Sequence, residues 1–241
     1  MKNIIHEEFD QKGNLVACMF DHEEIIRTSC GDLIPSHDSD YSIRKRYRNA
    51  CEFYENGVIS NIYLNDRTLV DTPIGKMDAE LITFYEDGSI KRLFPLYGKL
   101  SAFWGEDDEF TLSREVEIPV ADKKIKCHPR CIFFYPSGKV KSITIWPQTT
   151  ISFMTRYGEV KTNLGASFYE SGELESIEPS ADTVVFINEK KIIPFYPFSS
   201  RIHADNCSLR FYKNGSIQAL KAKTFKTLNN GGEDYEKRDF A

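Results

Sequence analysis

Apolar and polar positions along this chain follow a pattern that restarts six times, each time around a glycine. Four residues before the glycines at Gly13, Gly57, Gly88, Gly138, Gly172 and Gly215 stands a phenylalanine: Phe9, Phe53, Phe84, Phe134, Phe168 and Phe211. Three residues before all but the first stands a tyrosine: Tyr54, Tyr85, Tyr135, Tyr169 and Tyr212. Two residues after comes an aliphatic (Leu15, Ile59, Ile90, Val140, Leu174, Ile217), and five after comes another apolar residue (Cys18, Ile62, Leu93, Ile143, Ile177, Leu220). Short apolar runs on either side of a polar, glycine-centred turn predict β-hairpins, and their recurrence predicts a repeat architecture.

Side chains alternate between the faces of a strand, so adjacent Phe and Tyr part company, Phe to the core and Tyr outward. The apolar positions two and five after the glycine differ in parity. They share a face only if a bulge intervenes, which predicts a bend in the strand after each turn. A two-residue type I′ turn suits Asn56, Asp87 and Asn214 but not Ser137, Ser171 or Lys12. A type I turn closed by a left-handed glycine suits all six and also accommodates Pro136, so the loops are expected to be three residues long.

Between the hairpins lie further short runs. Thr28-Ser29-Cys30-Gly31, Thr72-Pro73-Ile74-Gly75 and Thr155-Arg156-Tyr157-Gly158 read as additional turns, and 68–71, 100–104, 139–145, 183–187 and 191–195 read as strands. Helix signals are weak: only 40–50 has the length for one, and its apolar residues fit a strand or loop equally. Segment 105–126 is the least repeat-like and 35–40 reads as loop. The expected fold is all-β, a long antiparallel hairpin meander, as an open curved sheet or solenoid, in one array over 1–228 with a polar tail at 229–241.

Composition narrows the function classes. A formal net charge of -5 disfavours general nucleic-acid binding, which needs a basic surface. The N-terminus meets acidic residues at once and carries no signal-peptide stretch, no transmembrane run is present, and six cysteines read as reduced thiols. Together these give a cytoplasmic expectation.

The F-Y-x-x-G-x-I-x-x-I unit resembles the MORN-repeat variant of the YwqK-type antitoxin family, across the hairpin cores from about Phe53 to Leu220. The hairpins here stand 31 to 50 residues apart, longer than a compact MORN period. The resemblance implies a sheet of successive hairpins and a non-catalytic role in binding other proteins, including toxins in some members.

Catalytic signatures are scarce: there is no G-x-S-x-G elbow, no H-E-x-x-H and no phosphate-binding loop. Cys127-His128-Pro129-Arg130-Cys131 is the best chemical cluster. Cys127, His128 and Cys131 offer three of the four ligands zinc wants, or a thiolate beside a histidine with Arg130 to lower the thiol pKa; buried hydrophobic cysteines are the plainer account. The acidic run Glu106-Asp107-Asp108-Glu109 reads as a solvated loop, and Arg44-Lys45-Arg46-Tyr47-Arg48 as a local basic patch. Trp104 and Trp146 read as core or rim. The tyrosine series Tyr54, Tyr85, Tyr135, Tyr169 and Tyr212 is either an exposed aromatic binding row or packing between neighbouring hairpins. The function expected is therefore a non-enzymatic protein-interaction module, toxin-neutralising or scaffolding, with a protein partner and no cofactor. The alternatives are an enzyme or metal protein centred on Cys127, His128 and Cys131, and a carbohydrate-binding sheet using the tyrosines.

Overall fold

In a computed structural model of the chain, the residues described are 4–37, 43–44, 49–181, 183–187, 190–192, 207–227 and 233–240. Strands β1 (Ile4–Phe9) and β2 (Leu15–Phe20) form the first hairpin, followed by a small insert of β3 (Ile26–Thr28) and β4 (Gly31–Leu33). β5 (Cys51–Phe53) and β6 (Ile59–Thr72) make the second; β6 runs on and turns back as β7 (Gly75–Phe84), which with β8 (Ile90–Phe94) makes the third. Helix α1 (Glu106–Thr111) and an insert of β9 (Val116–Val120) and β10 (Lys123–Cys127) come next. The fourth hairpin is β11 (Pro129–Phe134) with β12 (Val140–Ile145). An insert of β13 (Ile151–Thr155) and β14 (Gly158–Thr162) precedes the fifth hairpin, β15 (Gly165–Phe168) with β16 (Leu174–Ile177). β17 (Val185–Ile187) and β18 (Lys190–Ile192) form the next insert. The sixth hairpin is β19 (Leu209–Phe211) with β20 (Ile217–Thr227), and β21 (Glu233–Phe240) returns along β20 in the stretch read from the sequence as a tail.

Thirteen strands are hydrogen-bonded in the order β1-β2-β5-β6-β7-β8-β11-β12-β15-β16-β19-β20-β21. Among the described residues β1 and β21 each have one neighbour, so the sheet is not closed. The expected all-β antiparallel hairpin meander is therefore the fold. By compactness the chain divides into two units, Met1–Arg114 with Pro129–Lys139, and Glu115–His128 with Val140–Ala241.

The turn chemistry is as expected. In the third hairpin the Tyr85 amide donates to the Ser89 carbonyl at 2.8 Å, and the Gly88 amide to the Tyr85 carbonyl at 2.9 Å. Gly88 has φ +80°, a conformation that costs a residue with a Cβ about 1 kcal/mol or more. The other five turns repeat this pair of bonds. The expected bulge is present too. Thr83 faces Arg92 while Phe84 faces Ile90, so Lys91 is an extra residue, and the same shift occurs beside Phe9, Phe53, Phe168 and Phe211. It brings Ile90 and Leu93 into the same core despite their parity.

The core of each unit is a row of cross-strand neighbours. In the first unit Cys18, Cys51, Ile62, Ile82, Leu93 and Ile132 succeed one another in register, all buried. In the second the row is Ile143, Ala166, Ile177, Leu209 and Leu220. Each fully buried Ile or Leu contributes on the order of 2 kcal/mol, so these rows hold the strands in register. Phe84, Phe134, Phe168 and Phe211 are buried as expected, but Phe53 is half-buried and Phe9 is 56% exposed.

The inserts explain that gradient. Four tips, those at Ser29, Pro73, Ala121 and Arg156, lie on the turn of the hairpin two further along the chain. Ser29 Oγ donates to the Gly88 carbonyl at 2.8 Å, Pro73 packs on Gly138, Ala121 packs on Gly172, and Arg156 Nη2 donates to the Asn214 carbonyl at 2.6 Å. The tips predicted at Gly31, Gly75 and Gly158 are turns in which a threonine hydroxyl, from Thr28, Thr72 or Thr155, bonds the glycine carbonyl across the turn. No described element covers the turns at Gly13 and Gly57 in this way, and there Phe9 and Phe53 show surface.

Two local expectations are corrected. Residues 100–104 are not a strand but a tight turn closed by a bridge between Ser101 and Trp104. The acidic run is helix α1 rather than a solvated loop, because Asp108 accepts the Gly105 amide at 2.8 Å and Glu109 turns inward. Of the basic run only Arg44 is described. Residues 45–48, most of 40–50, residues 193–195 of the predicted strand 191–195, and His203 lie outside the described residues. No helix among the described residues is long and apolar enough to cross a membrane.

Candidate interaction surface

Three tyrosines of the row, Tyr54, Tyr85 and Tyr169, tie neighbouring hairpins together. The Tyr54 hydroxyl donates to the Phe84 carbonyl, Tyr85 to that of Phe134 and Tyr169 to that of Phe211, each at 2.8 Å. Each bond ties one hairpin to the next at the level of the core phenylalanine. Burial in that position pushes all three phenols above their ordinary pKa. Lysines cover two of the rings: Lys91 Nζ lies 5.4 Å from the centre of Tyr85 and Lys213 Nζ 5.5 Å from that of Tyr169. Tyr135 is half-buried. Tyr212, on the sixth hairpin, is 51% exposed.

The cysteine cluster is dispersed by its strands. Cys127 ends β10 and is buried in the second unit; burial, with the Glu115 carboxylate second, pushes its thiol up to about 12. Cys131 lies on β11 in the first unit, packed with Leu81 and Phe94 under Tyr63 and Tyr97. Arg130 is turned to Glu106, with Nη1 2.6 Å from the carboxylate. Among the described residues no three His, Cys, Asp or Glu side chains are gathered closely enough to hold a metal ion. A cavity of about 530 Å³ in the second unit is lined by Thr150, Ile151, Ser152, Lys161, Asn163 and Ser180, a polar lining with one charged side chain and no acid, cysteine or histidine.

A constellation that sequence reasoning missed lies in the first unit. The Glu109 carboxylate, 2% exposed, accepts four hydrogen bonds: Arg44 Nη2 at 2.6 Å, Arg44 Nε at 2.8 Å, Trp104 Nε1 at 2.6 Å and the Gly98 amide at 2.8 Å. Arg44 reaches Glu80 as well, at 3.0 Å, and Glu80 in turn accepts the Tyr97 amide at 2.6 Å. Burial pushes the Glu109 carboxyl up, but the bonds from Arg44, Trp104 and Gly98 together outweigh it and hold the group below its ordinary value. Gly98 is required by this packing, since a Cβ there would lie 2.5 Å from the Glu109 oxygens. Arg130, on β11, grips the first residue of α1, and Arg67, on β6, donates to the Leu112 carbonyl at 2.7 Å just past its end.

This network holds an apolar tip in place. The Lys99 amide donates to the Arg44 carbonyl at 2.6 Å, tying the chain ahead of Leu100 to the residue after Ile43, and the turn 101–104 carries Phe103 outward. Phe103 is 83% exposed, Ile43 50% and Leu100 41%, with exposed Lys99, Asp107 and Asp108 close in sequence. Exposed aromatic and aliphatic side chains on a turn fixed from beneath are the composition of a protein contact point. The available signal in the sequence was the Phe103-Trp104 pair directly ahead of four acidic residues; its partner Arg44 is 65 residues away from Glu109. Comparison with protein-family models, curated proteins and solved structures finds no match.

Proposed function

We propose that this chain is a non-enzymatic protein-interaction module whose main contact is the Phe103 tip, flanked by Ile43 and Leu100. The observation that carries the reading is the combination of a large exposed aromatic with a buried, fully bonded carboxylate beneath it. Holding Phe103 in one place lowers the entropy cost of binding, and that is a property a merely solvated loop lacks. The likeness of the repeat to the MORN-type, YwqK-like family supports the same class of function, with a toxin-neutralising or scaffolding role and a protein partner. Six free, buried cysteines support a reducing, cytoplasmic address. The cysteine chemistry has less support, because Cys127 is a buried thiol with a raised pKa and Arg130 is engaged elsewhere. Sugar stacking has less as well, since three of the five tyrosine hydroxyls already bond the next hairpin.

The test is affinity capture from the native host with wild-type chain, F103A and Y85F side by side. F103A is expected to lose the partner while its melting temperature stays unchanged, and Y85F to keep the partner at lower stability. Undiminished capture by F103A rules the tip out as the contact.

A further inference from the structure

We propose that β1 is a self-recognition edge, on which a second copy of this chain pairs antiparallel about a two-fold axis through Glu7. β1 ends the sheet, with one neighbour, and all of its residues from Ile5 to Phe9 are exposed. An edge strand of this kind is a template for another strand, and its backbone direction is fixed here. The Asp10 amide donates inward to the Asn14 carbonyl. By the alternation of an antiparallel ladder, the amides and carbonyls of Phe9 and Glu7 therefore point to the open edge. Residues 6 to 8 pair regularly with β2, leaving that part of the edge straight, and the one bulge in β1 is confined to Ile5.

The occupant follows from the sequence Ile5-His6-Glu7-Glu8-Phe9, which is complementary to itself when reversed about Glu7. In that register Ile5 of one copy meets Phe9 of the other at both ends, two apolar pairs made from side chains 59% and 56% exposed in the single chain. His6 of one copy meets Glu8 of the other, twice. The two side chains already share a face, since His6 Nε2 lies 3.5 Å from Glu8 Oε1 within the strand, and Asn49 steadies Glu8 with a bond of 3.1 Å. Only the central Glu7 pair is unfavourable, which limits the strength of the association without changing its register. A two-fold contact is closed, so the product is a dimer rather than a fibre. It also shields Phe9, the one phenylalanine of the repeat that the single chain leaves largely open.

Sedimentation velocity on the 241-residue chain over a concentration series tests this, with far-UV circular dichroism of every variant as a folding control. The expected result is a monomer–dimer equilibrium that F9D and H6E each abolish, that H6E/E8K restores, and that E7Q tightens by about fivefold as the like-charge pair is removed. E7C reads the register directly: mild oxidation is expected to give a covalent dimer through the 7–7 pair. A monomer at every concentration overturns the proposal. So does a dimer indifferent to F9D and H6E, or an association in which E7C forms no disulfide.

Discussion

The tyrosine hydroxyl is the smallest unit that links one repeat to the next. Y85F removes the bond to the carbonyl of the fully buried Phe134, so a loss of about 1 kcal/mol is expected in urea unfolding; Y212F, on an exposed ring, is expected to change nothing measurable. The turn glycines differ in the same checkable way. G57A meets only the backbone cost of φ +78° with open space around it, about 1 kcal/mol. G138A bears a comparable backbone cost and also sets a Cβ 2.8 Å from the Cβ of Pro73, so it is expected to cost at least about 1 kcal/mol more. Equal destabilisation of the two would show that the Pro73 tip does not rest firmly on the fourth hairpin.

At the scale of elements, α1 and the turn 101–104 depend on tertiary bonds, above all the Arg44–Glu109 pair, rather than on helix propensity, because six residues are too few to hold a helix alone. R44M leaves the buried Glu109 charge with only Trp104 and Gly98, and a loss of about 3 kcal/mol is expected. The pH dependence has a definite sign. Because the native Glu109 carboxyl titrates below its ordinary value of 4.5, its contribution is complete at neutral pH and is lost as the pH falls through the lower native value. Thermal melts of wild type and E109Q should therefore differ most at neutral pH and converge towards pH 3. A constant difference across that range would mean that the native Glu109 carboxyl titrates as it does in the unfolded chain.

Over the whole molecule, all six cysteines are buried, in both units. A hydrogen bond with Cys18, together with burial, pushes the Cys51 thiol up, and burial does the same for Cys127 and Cys30. Ellman's reagent at neutral pH is expected to find essentially no reactive thiol in the native chain and six after denaturation. The labelling rate of the native chain then reports opening of the core rows. A single fast thiol would mark the unit that opens first.

The all-β class, the three-residue turns, the bulge after each glycine and the core role of Phe84, Phe134, Phe168 and Phe211 are all present in the sequence, because each is set by residues within about ten positions of one another. Parity alone forced the bulge: Ile90 and Leu93 cannot share a face without Lys91 being extra. What spacing cannot supply is the occupant of the space beyond a strand. Alternation places Tyr85 on the outer face, but whether that face meets water or the Phe134 carbonyl depends on a hairpin 49 residues further on. The same limit hid Glu109, which local charge density reads as solvated and which only the approach of Arg44, Trp104 and Gly98 makes stable when buried. It also hid the open first hairpin. Phe9 shares with Phe84 the spacing to the turn glycine and the apolar residues after it, but no described insert tip rests on its turn, and burial is decided by what arrives from elsewhere in the chain.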